Sequence, residues 1–205
     1  MTRPDVAIAI LAAGRGSRLH SRVPKPLVEA HGRPLLTWAL DAATASRLRP
    51  VLLVVGHGGD AVTRLATEGV FVVRSRRWRR GIARSLRAAL EALEPRAQVG
   101  AVAIGLADQP LVGPDAYRRL AEAHRGGGAL LAVATYAGRR GNPVLLARSL
   151  WDEARRLDGD VGARALMDHH DVVEVDCTDT GSPADVDTLD DLKAAERMLG
   201  ERGTA

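Results

Sequence analysis

Short continuous apolar runs, separated by stretches with helical spacing, constrain this chain more than any other feature. The runs fall at residues 6–11, 51–55, 70–73, 101–106 and 130–134, with a later pair near 143–146 and 172–175. Strands buried on both faces of a parallel sheet read this way, because neither face alternates with polar residues. Between them, residues 35–45, 61–66, 82–93, 114–123, 149–157 and 189–199 have the spacing of amphipathic helices. In the third of these, Ile82, Leu86, Leu90 and Leu93 share one face. Ser149 is expected to cap the fifth helix, and Thr188 with Asp191 resembles a capping box at the start of the last. Strand–helix alternation implies right-handed crossovers, and hence a three-layer α/β/α, Rossmann-like domain with a mainly parallel sheet. The later strands are expected to pair antiparallel at one edge or to form a small extension. No repeat and no break in composition marks a linker, so residues 1–205 read as one domain, with Gly126–Gly128 a connection inside it.

Composition removes several function classes. Apolar residues make up 46% of the chain, enough for a core without a metal or disulfide staple. Cys177 is the lone cysteine, which fits a reducing, cytoplasmic setting. The longest apolar run, residues 6–13, falls well short of the ~18–20 residues of a membrane span. Aromatic residues are 3% of the chain, too few for the stacking platforms of single-strand nucleic-acid binders. The net charge is +4, and of the 29 basic residues only Lys25 and Lys193 are lysine. A lysine at position 25, amid arginines, calls for a chemical reason.

That reason lies beside the first strand. Ligands of parallel sheets bind beyond the carboxyl ends of the strands. The first such end reads Leu11-Ala12-Ala13-Gly14-Arg15-Gly16-Ser17-Arg18, followed by Val23-Pro24-Lys25-Pro26-Leu27. The two glycines let backbone N–H groups approach an anion, while Arg18 and Lys25 add a planar fork and a mobile point charge. Together these suit a polyphosphate. The loop is neither a dinucleotide fingerprint, since Leu19 stands where the third glycine belongs, nor a Walker A loop, which needs Gly-Lys-Ser/Thr. The alternative is a turn that is merely rich in glycine and arginine.

These residues resemble the signature of nucleotidyltransferases that join an NTP to a phosphorylated acceptor. Gly105-Leu106-Ala107-Asp108-Gln109-Pro110-Leu111-Val112, Gly141-Asn142-Pro143-Val144, Gly159-Asp160-Val161-Gly162-Ala163-Arg164 and Asp185-Val186-Asp187-Thr188-Leu189-Asp190-Asp191-Leu192 are similar to elements of the molybdenum-cofactor branch. The likeness runs in order over nearly the whole chain and is that of the MobA-like NTP transferases, the cytidylyltransferases in particular. It implies transfer of a nucleoside monophosphate with release of pyrophosphate and help from Mg2+. Lys25, Arg18 and Asp108 would be the catalytic set. Leu11, Ala12, Ala13, Gly14, Arg15 and Gly16 would hold the nucleotide with Lys25 and Ser85, the serine of a Gly-x-x-x-Ser-Leu element. Asp108 and Asp187 would bind the metal, and Asn142, Asp160 and Arg164 would face the acceptor.

Each residue has a plainer reading. Asp108 would simply shape a turn, Asp187 would sit beside a helix cap, and Asp185 competes with it for the metal. The run Arg74-Ser75-Arg76-Arg77-Trp78-Arg79-Arg80 is either a solvated loop or a recruiter of an anionic acceptor. Asp168-His169-His170-Asp171 reads as a solvated helix end, not a metal site, because adjacent histidines do not share a helix face.

The chain also departs from the branch. Arg18 and Lys25 stand farther apart than in molybdenum-cofactor enzymes, in the manner of sugar-phosphate and isoprenoid-precursor nucleotidyltransferases. Asn142 occupies the place of a histidine in the branch's Gly-His-Pro. Ala12-Ala13-Gly14 accompanies cytidine enzymes, so CTP is the expected donor and a molybdopterin-type phosphate the expected acceptor. The rivals are a sugar or alcohol phosphate, a redox protein on a related scaffold, and a regulatory nucleotide-binding module.

Overall fold

The computed structural model describes residues 5–14 and 23–202. In chain order the strands are β1 (Asp5–Ala12), β2 (Glu29–Ala30), β3 (Arg33–Pro34), β4 (Val51–Val55), β5 (Val70–Arg74), β6 (Val99–Leu106), β7 (Leu131–Tyr136), β8 (Arg139–Ala147) and β9 (Val173–Asp176). The α-helices are α1 (Leu35–Ala45), α2 (Gly59–Thr63), α3 (Ile82–Leu93), α4 (Pro114–Gly127), α5 (Trp151–Ala154) and α6 (Leu189–Arg202). A seven-stranded sheet has the order β5-β4-β1-β6-β8-β7-β9, and β2 and β3 form a small hairpin. The fold is a mainly parallel, three-layer α/β/α arrangement.

The sheet is covered on both faces, and β1 shows how. Ile8 and Ile10 pack with Leu36, Leu40, Tyr117 and Leu120 of α1 and α4. Their neighbours Ala7, Ala9 and Leu11 point the other way, toward Leu86 and Leu90 of α3 and Trp151 of α5. Period-2 alternation with both sets apolar is the condition for a doubly covered strand. A third cluster joins Val28, Ala30 and Leu35 to Leu111, Val186, Ala195 and Leu199. It draws the C-terminal helix and the segment before it back to the end of the sheet where β1 and β6 finish.

Three expectations change. The run at 70–73 is not a buried strand: β5 is the sheet edge, with Phe71 47% exposed and the Arg96 guanidinium 4.4 Å from its ring. The antiparallel member is not at an edge, because β8 stands between β6 and β7 and runs against both. The cause is the turn Ala137-Gly138, with φ of 49° and 74°, which closes β7 and β8 into a hairpin. Ser149 caps nothing: it lies inside a 3-10 turn, Arg148–Leu150, and α5 begins after it without a side-chain cap. At α6 the capping box forms in full. Thr188 N–H donates to Asp191 Oδ2 at 2.8 Å, and Asp191 N–H to Thr188 Oγ1 at 3.2 Å.

Candidate active site

β1 and β6 are parallel neighbours in register, Leu11 beside Leu106, so both chains leave the sheet at one place. A cavity of about 970 Å3 opens there. Leu11, Ala12, Ala13, Gly14, Lys25 and Ser85 line it from the nucleotide side of the expectation, and Asp108, Asp160, Asp185 and Asp187 from the other. Arg15, Gly16 and Arg18 lie outside the described residues. Asn142 and Arg164 line a second cavity of about 1070 Å3, which shares Leu11, Asp160 and Asp185 with the first. Leu86, Ile104 and Val144 give this second space an apolar floor, and Arg139, Arg140 and Arg164 give it cationic walls.

Lys25 organises the first cavity. It sits in a 3-10 turn, Lys25–Leu27, flanked by prolines and only 7% exposed. Its ammonium donates to Asp108 Oδ2 at 2.5 Å and to Asp187 Oδ1 at 2.7 Å. Burial opposes the charge on Lys25. The charges and hydrogen bonds of Asp108 and Asp187 together outweigh that cost and hold its pKa above the ordinary lysine value. Asp108 gets there as the residue after the β6 exit, where Ala107 N–H still donates to Leu11 O at 3.1 Å. Asp187 arrives from the far end of the chain because Val186 is buried in the third cluster and its N–H donates to Asp108 O at 2.9 Å.

Asp185 does something else. Its Oδ1 accepts from Gln109 Nε2 at 2.9 Å, and burial, reinforced by the charge of Asp108, pushes its pKa up. Gln109, 3% exposed, is a residue that the sequence did not single out. Its amide also donates to Pro183 O at 2.8 Å, and its Oε1 accepts from Asn142 Nδ2 at 3.1 Å. All three side-chain bonds tie the β6 exit to segments far along the chain. Asn142 therefore turns its amide inward, while Tyr136 O–H donates to its carbonyl at 2.9 Å.

Ser85 lies in the first turn of α3, buried, with its hydroxyl 3.5 Å from that of Ser75. The approach to α3 is fixed by Gly81, φ 100°, where a Cβ would collide with the backbone of Gly159. Ala83 N–H donates to Gly159 O at 3.2 Å and Arg84 to Asp158 at 2.7 Å, so this segment presents Asp160 to both cavities. Asp160 caps no helix: the 3-10 helix Ala163–Asp168 starts from Gly162 without a side-chain cap. His170 meets Glu153 at 2.7 Å.

Among the described residues no group of three or more His, Cys, Asp or Glu is arranged to hold a metal ion. Two carboxylates within reach of one ammonium, beside a wide cavity, do fit a hard divalent cation. Such ions are bound through one or two carboxylates, the remaining positions going to water and substrate phosphate. The geometry also joins Gly14, a buried lysine and acidic groups at the end of a parallel sheet. Backbone N–H groups, a fixed cation and acidic groups at such a sheet end are chemically suited to phosphate groups and their metal ions.

Comparison with known proteins agrees. Residues 8–175 match the MobA-like NTP transferase domain, and the chain belongs to that family of nucleotidyltransferases. The bifunctional protein GlmU of Pelobacter propionicus is 36% identical over 154 residues, 75% of this chain and 33% of the relative. The chain thus spans about a third of the length of the GlmU proteins it matches. Nicotine blue oxidoreductase of Paenarthrobacter nicotinovorans is 30% identical over 200 residues, 92% of this chain and 95% of the relative. Rv0371c of Mycobacterium tuberculosis H37Rv has a solved structure that superposes with a TM-score of 0.80 at 33% identity, over 96% of this chain and 100% of that one. A structure of the same mycobacterial protein in complex with manganese superposes at 0.78 and 30% identity, over 96% of this chain and 99% of that one. Among the described residues no helix is long and apolar enough to cross a membrane.

Proposed function

We propose that this chain transfers a nucleoside monophosphate, CMP from CTP, to a phosphorylated small molecule of molybdopterin type. The observation that carries this reading is the buried Lys25 ammonium held between Asp108 and Asp187 in the lining of the first cavity. In the reaction a phosphate oxygen of the acceptor attacks the α-phosphorus, the bond to the β-phosphate breaks, and pyrophosphate leaves with the electron pair. The loop from Leu11 to Gly16, with Arg18, would bind the triphosphate through backbone N–H groups and a guanidinium. Asp108 and Asp187 would hold Mg2+, which supplies neutralisation of charge on the phosphate oxygens. Lys25 would keep those two carboxylates oriented and prevent their mutual repulsion from spreading them. The second cavity would seat the acceptor: its apolar floor suits a flat ring system, and Arg164 a phosphate. The sheet and its flanking clusters would act as one domain, in the cytoplasm.

The near full-length match to nicotine blue oxidoreductase supports a second reading, reduction of a flat heteroaromatic ring in the same space. One assay separates the two. Purified protein with Mg2+ is offered each of four NTPs and a panel of molybdopterin, sugar and polyol phosphates, and in a parallel arm a reduced nicotinamide cofactor with a heteroaromatic dye; products are identified by mass. The proposal expects pyrophosphate and a cytidylylated molybdopterin. A condensed sugar or polyol product would replace the acceptor. Reduction of a dye by a nicotinamide cofactor, without pyrophosphate, would replace the reaction.

A further inference from the structure

The arginine run from the end of β5 to α3 is folded as an ordered turn, and its arginine side chains are exposed to solvent. Residues Trp78–Arg80 form a 3-10 turn closed by Trp78 N–H to Ser75 O at 3.3 Å, Arg80 N–H to Arg77 O at 2.9 Å and Gly81 N–H to Trp78 O at 3.1 Å. The turn is seated from below. Trp78 packs on Gly56 so closely that a Cβ there would lie 2.7 Å from the Trp78 Cβ, and the His57 ring lies 5.2 Å from that of Trp78. On its far side Gly81 abuts the Gly159 backbone. The arginines of this turn therefore stand on a fixed base.

Arg74 is occupied by Asp60, at 2.6 Å. The other four, Arg76, Arg77, Arg79 and Arg80, line a cavity of about 350 Å3 by themselves. Among the described residues none of the four forms an ion pair with a carboxylate; Arg80 acts on Asp158 only through its field, and Arg79 lies over the Trp78 ring at 4.7 Å. Arg79 and Trp78 also line the first cavity, so the arginine cavity opens beside Leu11–Gly14. With only Asp158 acting on Arg80 through its field, the four exposed guanidiniums concentrate positive charge at one place, which a multiply charged anion would meet through their planar forks.

We propose that Arg76, Arg77, Arg79 and Arg80 form a second anion site, specific for a polyphosphate group. It collects the triphosphate of an incoming nucleotide or the departing pyrophosphate at the rim of the first cavity. The polyphosphate is read from the arginines; its identification with substrate or product rests on the proposed function. Steering of this kind raises capture rates and weakens steeply with salt.

The test is calorimetric titration of tripolyphosphate, pyrophosphate and CTP into the wild type and the triple variant Arg76→Ala, Arg77→Ala, Arg80→Ala, at two ionic strengths. The variant is expected to bind tripolyphosphate at least tenfold more weakly, with a flatter salt dependence. The triple Arg→Lys variant, which keeps the charge and the turn, is expected to fall between. Tighter binding of CTP than pyrophosphate at this site names the substrate as its ligand, and the reverse names the product. Equal affinity and salt dependence in wild type and both variants would overturn the site. So would a loss confined to a single-stranded oligonucleotide, with tripolyphosphate binding unchanged. These titrations need no turnover, so failure of nucleotidyl transfer leaves their outcome readable.

Discussion

Lys25 and Asp108, 83 residues apart in sequence, meet at 2.5 Å with the lysine buried and the aspartate at the cavity wall. The same ammonium reaches Asp187, 162 residues away. One cation thus gathers acidic groups from the middle and the end of the chain. Deleting a partner from a buried pair leaves an uncompensated charge, at a cost of about 3–5 kcal/mol, reduced here because both aspartates keep some solvent. Lys25→Met is therefore expected to lower the urea midpoint by the equivalent of about 1–3 kcal/mol. Turnover should fall by roughly two orders of magnitude or more, the scale of losing a preorganised charge at a reacting phosphate. Lys25→Arg should not restore it, since a planar fork cannot stand between the two carboxylates as a compact ammonium does.

Gln109 is the test of how the acidic segment is held. Gln109→Leu removes two donors from Pro183 O and Asp185 and an acceptor from Asn142. A loss of about 1 kcal/mol in stability is expected, since Pro183 is only half-buried and Asp185 is exposed, so water replaces part of what Gln109 supplied. The informative measurement is binding of Mn2+ followed by electron paramagnetic resonance, in protein shown to be folded. If Gln109 positions the Asp185–Asp187 segment, the cation binds several-fold more weakly; unchanged binding with a lowered melting temperature would make Gln109 only a structural tie.

The capping box reaches the site as well. Asp191 Oδ2 accepts from Thr188 N–H and also from Asp187 N–H, at 3.1 Å. Asp191→Ala should destabilise the protein by about 1 kcal/mol, the usual cost of losing a cap. It should also reduce turnover where Thr188→Ala does so less, because only Asp191 restrains the Asp187 backbone through this bond. Paired thermal melts and initial rates distinguish the two.

Cys177 offers a pH signature away from the site. It is fully buried, and burial pushes its thiol up to about 11, against the pull of the Arg119 charge. At pH 8 a disulfide reagent should leave it untouched until the chain is unfolded. Since the unfolded thiol ionises near 9 and the folded one near 11, the native state holds its proton longer. Stability should then decline as pH rises across that window, by on the order of 2 kcal/mol more than in Cys177→Ala. Equal alkaline slopes in the two proteins would count against the buried, neutral thiol.

The elements whose periodicity is carried by local sequence were readable from it: helices α1 and α3 begin and end at the expected residues, and β4 spans the expected run. Burial was less readable. The apolar run of β5 looks like that of β4, yet nothing in its own residues says that the sheet ends there. The place of β8 depends on Ala137-Gly138, a tight turn without the usual Asn-Gly pair, and on a slot beside β6 that only the assembled sheet provides. At the site, Lys25, Asp108 and Asp187 were each visible as motif residues, and the structure brings them together. Gln109 was not, because its partners Pro183 and Asp185 lie 74 and 76 residues away and a single buried amide leaves no periodic trace.

In the proposed function, the acidic pair around Lys25 serves transfer of a nucleotidyl group. That role is tested most directly by acceptor-dependent pyrophosphate release, measured side by side for the wild type and Asp108→Ala with Mg2+ and CTP. Pyrophosphate is expected in step with a condensed product in the wild type, and a rate lower by about three orders of magnitude in the folded variant. A variant as active as the wild type would contradict it.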